Sequence, residues 1–194
     1  MHSFLLRADQ LELNVCLKIN WLSRFATARF VFRAVSRLGD GVFWYSILVM
    51  LTITGGVKGA MAMLHTGLTA LAGVYLYSFL KRRLLRPRPY VSHGQIVCQI
   101  APLDQYSFPS GHTLHAVLFA VMLSTYAPAL MIIVAPFAVL VAISRVVLGV
   151  HYPSDVVAGA VLGLILSGAS LTMVSLPPPQ FATDPASMLS LWLN

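Results

Sequence analysis

The amino-acid sequence reads as an all-α integral membrane protein, a bundle of five transmembrane helices, or six if an N-terminal segment also crosses, preceded by an amphipathic helix. Three observations carry this expectation. Of the 194 residues, 58% are hydrophobic and only 10% charged, against roughly 25% charged in an ordinary soluble domain. Uncharged runs recur at lengths near the ~20 residues an α-helix needs to cross about 30 Å of hydrocarbon. The cations crowd into residues 7–37 and 81–88 instead of covering a solvated face. No repeat, low-complexity tract or polar linker divides the chain, so a single membrane domain over residues 39–176 is expected, with an interfacial segment 1–38 before it and a tail 177–194 after it.

Residues 1–38 hold no run long enough to cross. Arg29, Arg33 and Arg37 repeat at i, i+4 with Phe30, Val31, Ala34 and Val35 on other faces. Like charges at that spacing repel in water, and anionic headgroups would remove the penalty, so an interfacial amphipathic helix is expected. The alternative is a tilted, weakly hydrophobic sixth span. Leu5-Leu6 is interrupted by Arg7 and Asp9, too early for the apolar core of a cleavable signal, and the first spanning helix is expected to direct insertion. Gly41 to Val57 and Gly59 to Leu80 are the first two uncharged spans. From Thr113 to Ile143 no Asp, Glu, Lys or Arg occurs; one helix of that length would reach about 47 Å. Two helices are therefore expected, 109–126 and 129–148, turning at Ala127-Pro128 because the residue before a proline avoids helical geometry. Pro136 should kink the second. The last span should run from Pro153 to Leu176 and stop at Pro177-Pro178-Pro179.

The net charge of +7 does not imply nucleic acid, since no soluble face of cations with interleaved aromatics exists to bind it. Cys16 and Cys98 lack the spacing of a zinc or redox pair and read as apolar fillers.

Three strings carry chemistry, and all fall at helix ends on one membrane face. Pro109-Ser110-Gly111-His112 opens an uncharged run. With proline at the first helical position, the N–H groups of Ser110, Gly111 and His112 would point outward where the macrodipole favours an anion. His112 could then protonate a leaving oxygen; the alternative is a plain helix cap. Ser144-Arg145 ends one helix, and an arginine at membrane depth is costly unless it serves a polar cavity. His151 precedes Pro153, with Asp155 one turn on, so the carboxylate could accept from one imidazole nitrogen and leave the other as nucleophile or base. Alternatively Asp155 caps the helix. Lys81 to Arg88 packs five cations into eight residues; positive-inside anchoring accounts for Arg82 and Arg83, while Lys81 and the proline-bracketed Arg88 suit phosphate oxygens. Asp104 and Asp155 are too few carboxylates for a magnesium or two-metal cluster, so neither metal nor cofactor is expected. His115, one turn from His112, is a candidate supporting group.

In the form K-x6-RP, PSGH and SR-x5-H-x3-D, Lys81–Pro89, Pro109–His112 and Ser144–Asp155 resemble the signature of the type 2 phosphatidic acid phosphatase superfamily without a departure. The resemblance spans residues 40–175, with Gly39-Asp40-Gly41 similar to the approach to the family's first core helix. It implies a membrane lipid phosphatase in which His151, helped by Asp155, attacks phosphorus to form a phosphohistidine. His112 would protonate the leaving group, and Lys81, Arg88, Ser110, Gly111 and Arg145 would hold the phosphate oxygens. It also implies a multi-pass protein of the cell (inner) membrane acting on a phosphorylated lipid of the undecaprenyl diphosphate, phosphatidylglycerophosphate or phosphatidate class. A phosphotransferase passing the phosphoryl group to a second lipid is the alternative. A non-catalytic scaffold is disfavoured because every motif position is filled. Arg82, Arg83, Arg86 and the N-terminal cations against Lys58 favour a cytoplasmic site by the charge rule; the alternative is the outer face, where many members of the family it resembles work.

Overall fold

The computed structural model describes residues 2–102 and 104–174. Among them there is no strand, only an isolated bridge between Pro87 and Tyr106. The helices are α1 (His2–Asn20), α2 (Ala26–Arg37), α3 (Phe43–Leu84), the single turn α4 (Pro89–Ser92), α5 (Gly111–Tyr126), α6 (Met131–Val147) and α7 (Pro153–Met173). Where one amphipathic helix was expected before residue 38 there are two, and the second packs against α6. Asn20, buried between them, donates to the carbonyls of Val97 (3.0 Å) and Val147 (2.9 Å) and ties this segment to the bundle.

At 42 residues, α3 would measure about 63 Å if straight, twice the hydrocarbon thickness. It is not straight. Gly56 takes φ 54°, ψ −133°, a region glycine enters without a Cβ penalty. Thr52 Oγ1 then meets Met63 Sδ at 3.1 Å, and a Cβ on Gly59 would fall 1.9 Å from the Leu51 carbonyl oxygen. Residues eight and eleven apart on one straight helix are separated by about 12 and 16 Å, so the chain doubles back into an antiparallel pair. The break expected around Lys58 falls at Gly56 because only glycine there admits the positive φ.

Buried at the centre lies α5, against α3, α6 and α7, with Leu114, Leu118, Met122 and Leu123 fully inaccessible. Its approach to α7 depends on small residues. A Cβ on Gly159 would come 2.4 Å from the Ser110 carbonyl oxygen, and one on Gly163 2.6 Å from that of Leu114, the close contact that small residues at i, i+4 permit in membranes. Trp44 stacks on Phe119 at 5.1 Å and joins α3 to this core. A polar thread, His65 to Tyr126 and Ser170 with Thr69, crosses the same interior with its groups hydrogen-bonded to one another.

Outward, the bundle is apolar: Ile53, Val57, Ile132 and Met173 are each more than three-quarters exposed, a surface that water would not stabilise. Three segments are long and apolar enough to cross a bilayer, Ala26–Leu84, Pro128–Val147 and Pro153–Met173, the first of them containing the reversal at Gly56. This is a membrane protein. Pro136 lies inside α6 as expected; the proline stop at 177–179 and the tail fall outside the described residues.

Candidate active site

The end of α3, the start of α4, the start of α5 and the α6–α7 turn converge on a cavity of about 170 Å³. Lys81, Arg88, Gly111, His112, Arg145 and His151 all line it, although they are spread over 71 positions of sequence. Arg88 is the N-cap of α4, held extended ahead of Pro89. Its Nη1 donates to the Val150 carbonyl at 2.8 Å and lies 3.5 Å from His151 Nε2. A guanidinium has no lone pair to offer, so Nε2 is the acceptor of this contact and the ring proton belongs on Nδ1.

His151 is 1% exposed. Burial first, then the charges of Arg145, Arg88 and Lys81, hold its pKa well below the ordinary imidazole value, so the ring is neutral at pH 7 and its lone pair is available. Among the described residues Nδ1 has no hydrogen-bond partner; Asp155 Oδ2 stands 3.6 Å away, just beyond bonding reach. That carboxylate is engaged elsewhere. Oδ2 accepts from the Tyr152 N–H at 2.8 Å and Oδ1 from Arg86 Nη1 at 2.7 Å. Asp155 therefore caps α7 and faces His151 at once, and the two sequence readings coexist.

Ser110 departs from expectation. Helix α5 begins at Gly111, with Ser110 as its N-cap rather than a residue of the first turn. Its N–H donates to the Asp155 carbonyl at 3.0 Å and its hydroxyl is turned to Thr113, so its N–H is not free for an anion and Ser110 does not line the cavity. The physical reason is the close α5–α7 packing over Gly159, which brings the α7 backbone within reach. The N–H groups of Gly111 and His112 carry no bond among the described residues and remain the anion-facing donors of this helix start.

Four groups that sequence reasoning left without a role, or missed, complete the geometry. Asp104 Oδ2 is 2.7 Å from Lys81 Nζ and its Oδ1 2.7 Å from Arg88 Nη2. Burial would raise this carboxyl's pKa, but Lys81 and then Arg88 outweigh it and hold the group below its usual range. Asp40 accepts from His112 Nε2. Ser36 accepts from Arg145 Nη1, while Arg145 Nε, in a residue only 2% exposed, has no partner among the described residues. Glu12 pairs with Arg86 at 2.7 Å. His115 lines the same cavity, with Nδ1 2.9 Å from the Gly111 carbonyl and Nε2 3.1 Å from that of Ala70, so it also braces α5 against α3.

The wall sets the three cations Lys81, Arg88 and Arg145 against the two carboxylates Asp40 and Asp104, and the positive charge left over suits an anion, because a buried charge is costly until it is paired. The family model described as the PAP2 superfamily matches residues 62–177. The chain belongs to the PAP2 superfamily. Among its relatives, decaprenylphosphoryl-5-phosphoribose phosphatase of Mycobacterium tuberculosis is 32% identical over 133 residues, 68% of this chain and 72% of that protein. The undecaprenyl-diphosphatase BcrC of Bacillus subtilis is 28% identical over 120 residues, 62% of each chain. The crystal structure of a transmembrane PAP2 type phosphatidylglycerolphosphate phosphatase from Bacillus subtilis superposes with a TM-score of 0.67 at 28% identity, covering 86% of each chain. The PAP2 relatives are lipid phosphatases, and the match includes every residue lining the cavity that the motifs contributed.

Proposed function

We propose that this PAP2 protein hydrolyses a phosphate monoester or diphosphate of a membrane lipid through a phosphohistidine on His151. The observation that carries the reading is the neutral, buried His151 whose Nε2 faces a cavity walled by Lys81, Arg88 and Arg145, with His112 in the same wall. The phosphoryl group sits among the three cations, two of which exchange Asp104 for its oxygens, and the free N–H groups of Gly111 and His112, and together these stabilise charge on those oxygens. His151 Nε2 forms a bond to phosphorus as the bond to the leaving oxygen breaks, and His112 delivers its proton to that oxygen. The carboxylate of Asp155, 3.6 Å from Nδ1, needs only a small shift to accept the imidazole N–H and stabilise the positive ring. Water then attacks phosphorus, His112 takes the proton, and inorganic phosphate leaves.

Charge favours a reaction without metal. The wall supplies three fixed cations, and its carboxylate nearest them, Asp104, is already bonded to two, a poor environment for a divalent ion. Hydrolysis is preferred to transfer because the relatives are named as phosphatases. Five crossings with the site at one face of the cell membrane fit the antiparallel limbs of α3 together with α5, α6 and α7; the lipid tail would lie along the apolar outer surface.

Detergent-purified protein supplied with undecaprenyl diphosphate, phosphatidylglycerophosphate or phosphatidate, each with EDTA, is expected to release inorganic phosphate from at least one. No release from any, or release only after magnesium is restored, contradicts the proposal.

A further inference from the structure

A second cavity, of about 400 Å³, adjoins the first and shares Asp40, His112 and Arg145 with it, while its own wall adds Arg33, Arg37 and Gln99. His151 lines the first cavity only. The two chambers thus meet at the residue placed to protonate the leaving oxygen. In a displacement at phosphorus the leaving oxygen departs opposite the nucleophile. Whatever it is attached to must extend past His112, into the second chamber.

The chemistry of that chamber is specific. Three arginines against one carboxylate leave two positive charges in excess. Arg33 is held by Gln99, its Nε donating to the backbone carbonyl at 2.6 Å and its Nη2 to Oε1 at 3.3 Å, which leaves Nη1 uncommitted. Arg37 makes no hydrogen bond among the described residues. Arg145, almost wholly buried, lines both chambers, and its Nε has no partner among the described residues. An uncharged leaving group would use none of this. Fixed guanidinium forks are suited to a phosphate.

Resting on the phosphatase reading, we infer that the second chamber binds the leaving group and selects one carrying a second phosphoryl group, through Arg33 and Arg37. That phosphoryl can be the inner phosphate of a lipid diphosphate or a phosphodiester a few bonds from the cleaved ester; both present the same anionic oxygens.

The test compares kcat/KM for a long-chain prenyl diphosphate, for phosphatidylglycerophosphate and for phosphatidate, whose diacylglycerol leaving group is uncharged, in wild type, in Arg33→Gln/Arg37→Gln and in Arg37→Gln alone. The ratio of diphosphate or phosphatidylglycerophosphate to phosphatidate is expected to fall about tenfold or more in the double variant, as for loss of two charge-assisted contacts, and in the same direction in Arg37→Gln, which disturbs no described hydrogen bond. A fall confined to the diphosphate assigns the anhydride; one confined to phosphatidylglycerophosphate assigns the remote phosphodiester. Ratios unchanged in both variants, or a wild type that prefers phosphatidate, overturn this inference and leave the phosphatase reading standing. A wild type inactive on all three overturns both.

Discussion

Asp104 places its carboxylate 2.7 Å from Lys81 Nζ and spans to Arg88 with its other oxygen, so two cations expected to hold phosphate are engaged by a side chain of the protein. A phosphoryl group entering the cavity competes with it. In Asp104→Asn that competitor is uncharged, and orthovanadate, a phosphate mimic, is expected to inhibit about fivefold more tightly, corresponding to about 1 kcal/mol for a pair whose acid is partly solvated. Weaker inhibition would mean that Asp104 chiefly positions the two cations.

Two groups outside the spans give the stability a pH dependence with opposite causes and separate windows. His151 has a depressed pKa, so below about pH 6.5 the unfolded chain takes up a proton that the folded one refuses, and stability falls as pH falls from there. Asp104, also depressed but a carboxylate, contributes stability that is present above about pH 3.9 and is lost as pH drops through the folded value. Thermal midpoints in detergent are expected to decline from pH 6.5 downward, with His151→Gln flattening the upper part and Asp104→Asn only the acid end. A profile unchanged by either substitution contradicts both assignments.

Arg86 holds Asp155 at 2.7 Å and Glu12 at 2.7 Å, and Asp155 is fully buried. Removing one partner of such a pair leaves a charge without compensation, at a cost of about 3 kcal/mol. Arg86→Gln should lower the melting temperature by several degrees, whereas Asp155→Asn should spare much of the fold and lower kcat on the order of a hundredfold. Full activity in Asp155→Asn would assign that carboxylate to capping alone.

Gly159 sets the position of the anion-facing helix start. A side chain there meets the Ser110 carbonyl, which cannot move without shifting Gly111 and His112. Gly159→Val is expected to cost about 2 kcal/mol through overpacking and to reduce kcat, while Gly168→Ala, where a Cβ would meet nothing within 4 Å, should be silent on both measures. Equal behaviour of the two variants would sever the packing from the site.

Much of this architecture is legible in the chain because its signals are local. Uncharged runs mark helices, and Lys81, Arg88, Gly111, His112, Arg145 and His151 occur at run ends where spacing alone puts them on one face. The partners of those residues are not local. Asp40 reaches His112 across 72 positions, and Ser36 reaches Arg145 across 109; no periodicity signals such a pair. Ser110 lies two helical positions earlier than the sequence suggests, because Pro109 looks like a first helical residue, whereas the α7 backbone takes the Ser110 N–H and makes it the cap. The arginines of α2 read as headgroup ligands by spacing, and only the folded chain brings Arg33 and Arg37 beside His112.

Trapping the covalent intermediate tests the central claim most directly. Protein mixed with a lipid substrate carrying labelled terminal phosphate, quenched within milliseconds in alkaline detergent, is expected to retain protein-bound label that is stable to base and released by acid, as a phosphohistidine is, and His151→Ala should retain none. Label persisting at the same level in His151→Ala, or wild-type turnover with no label bound at any quench time, would contradict His151 as the phosphoryl acceptor.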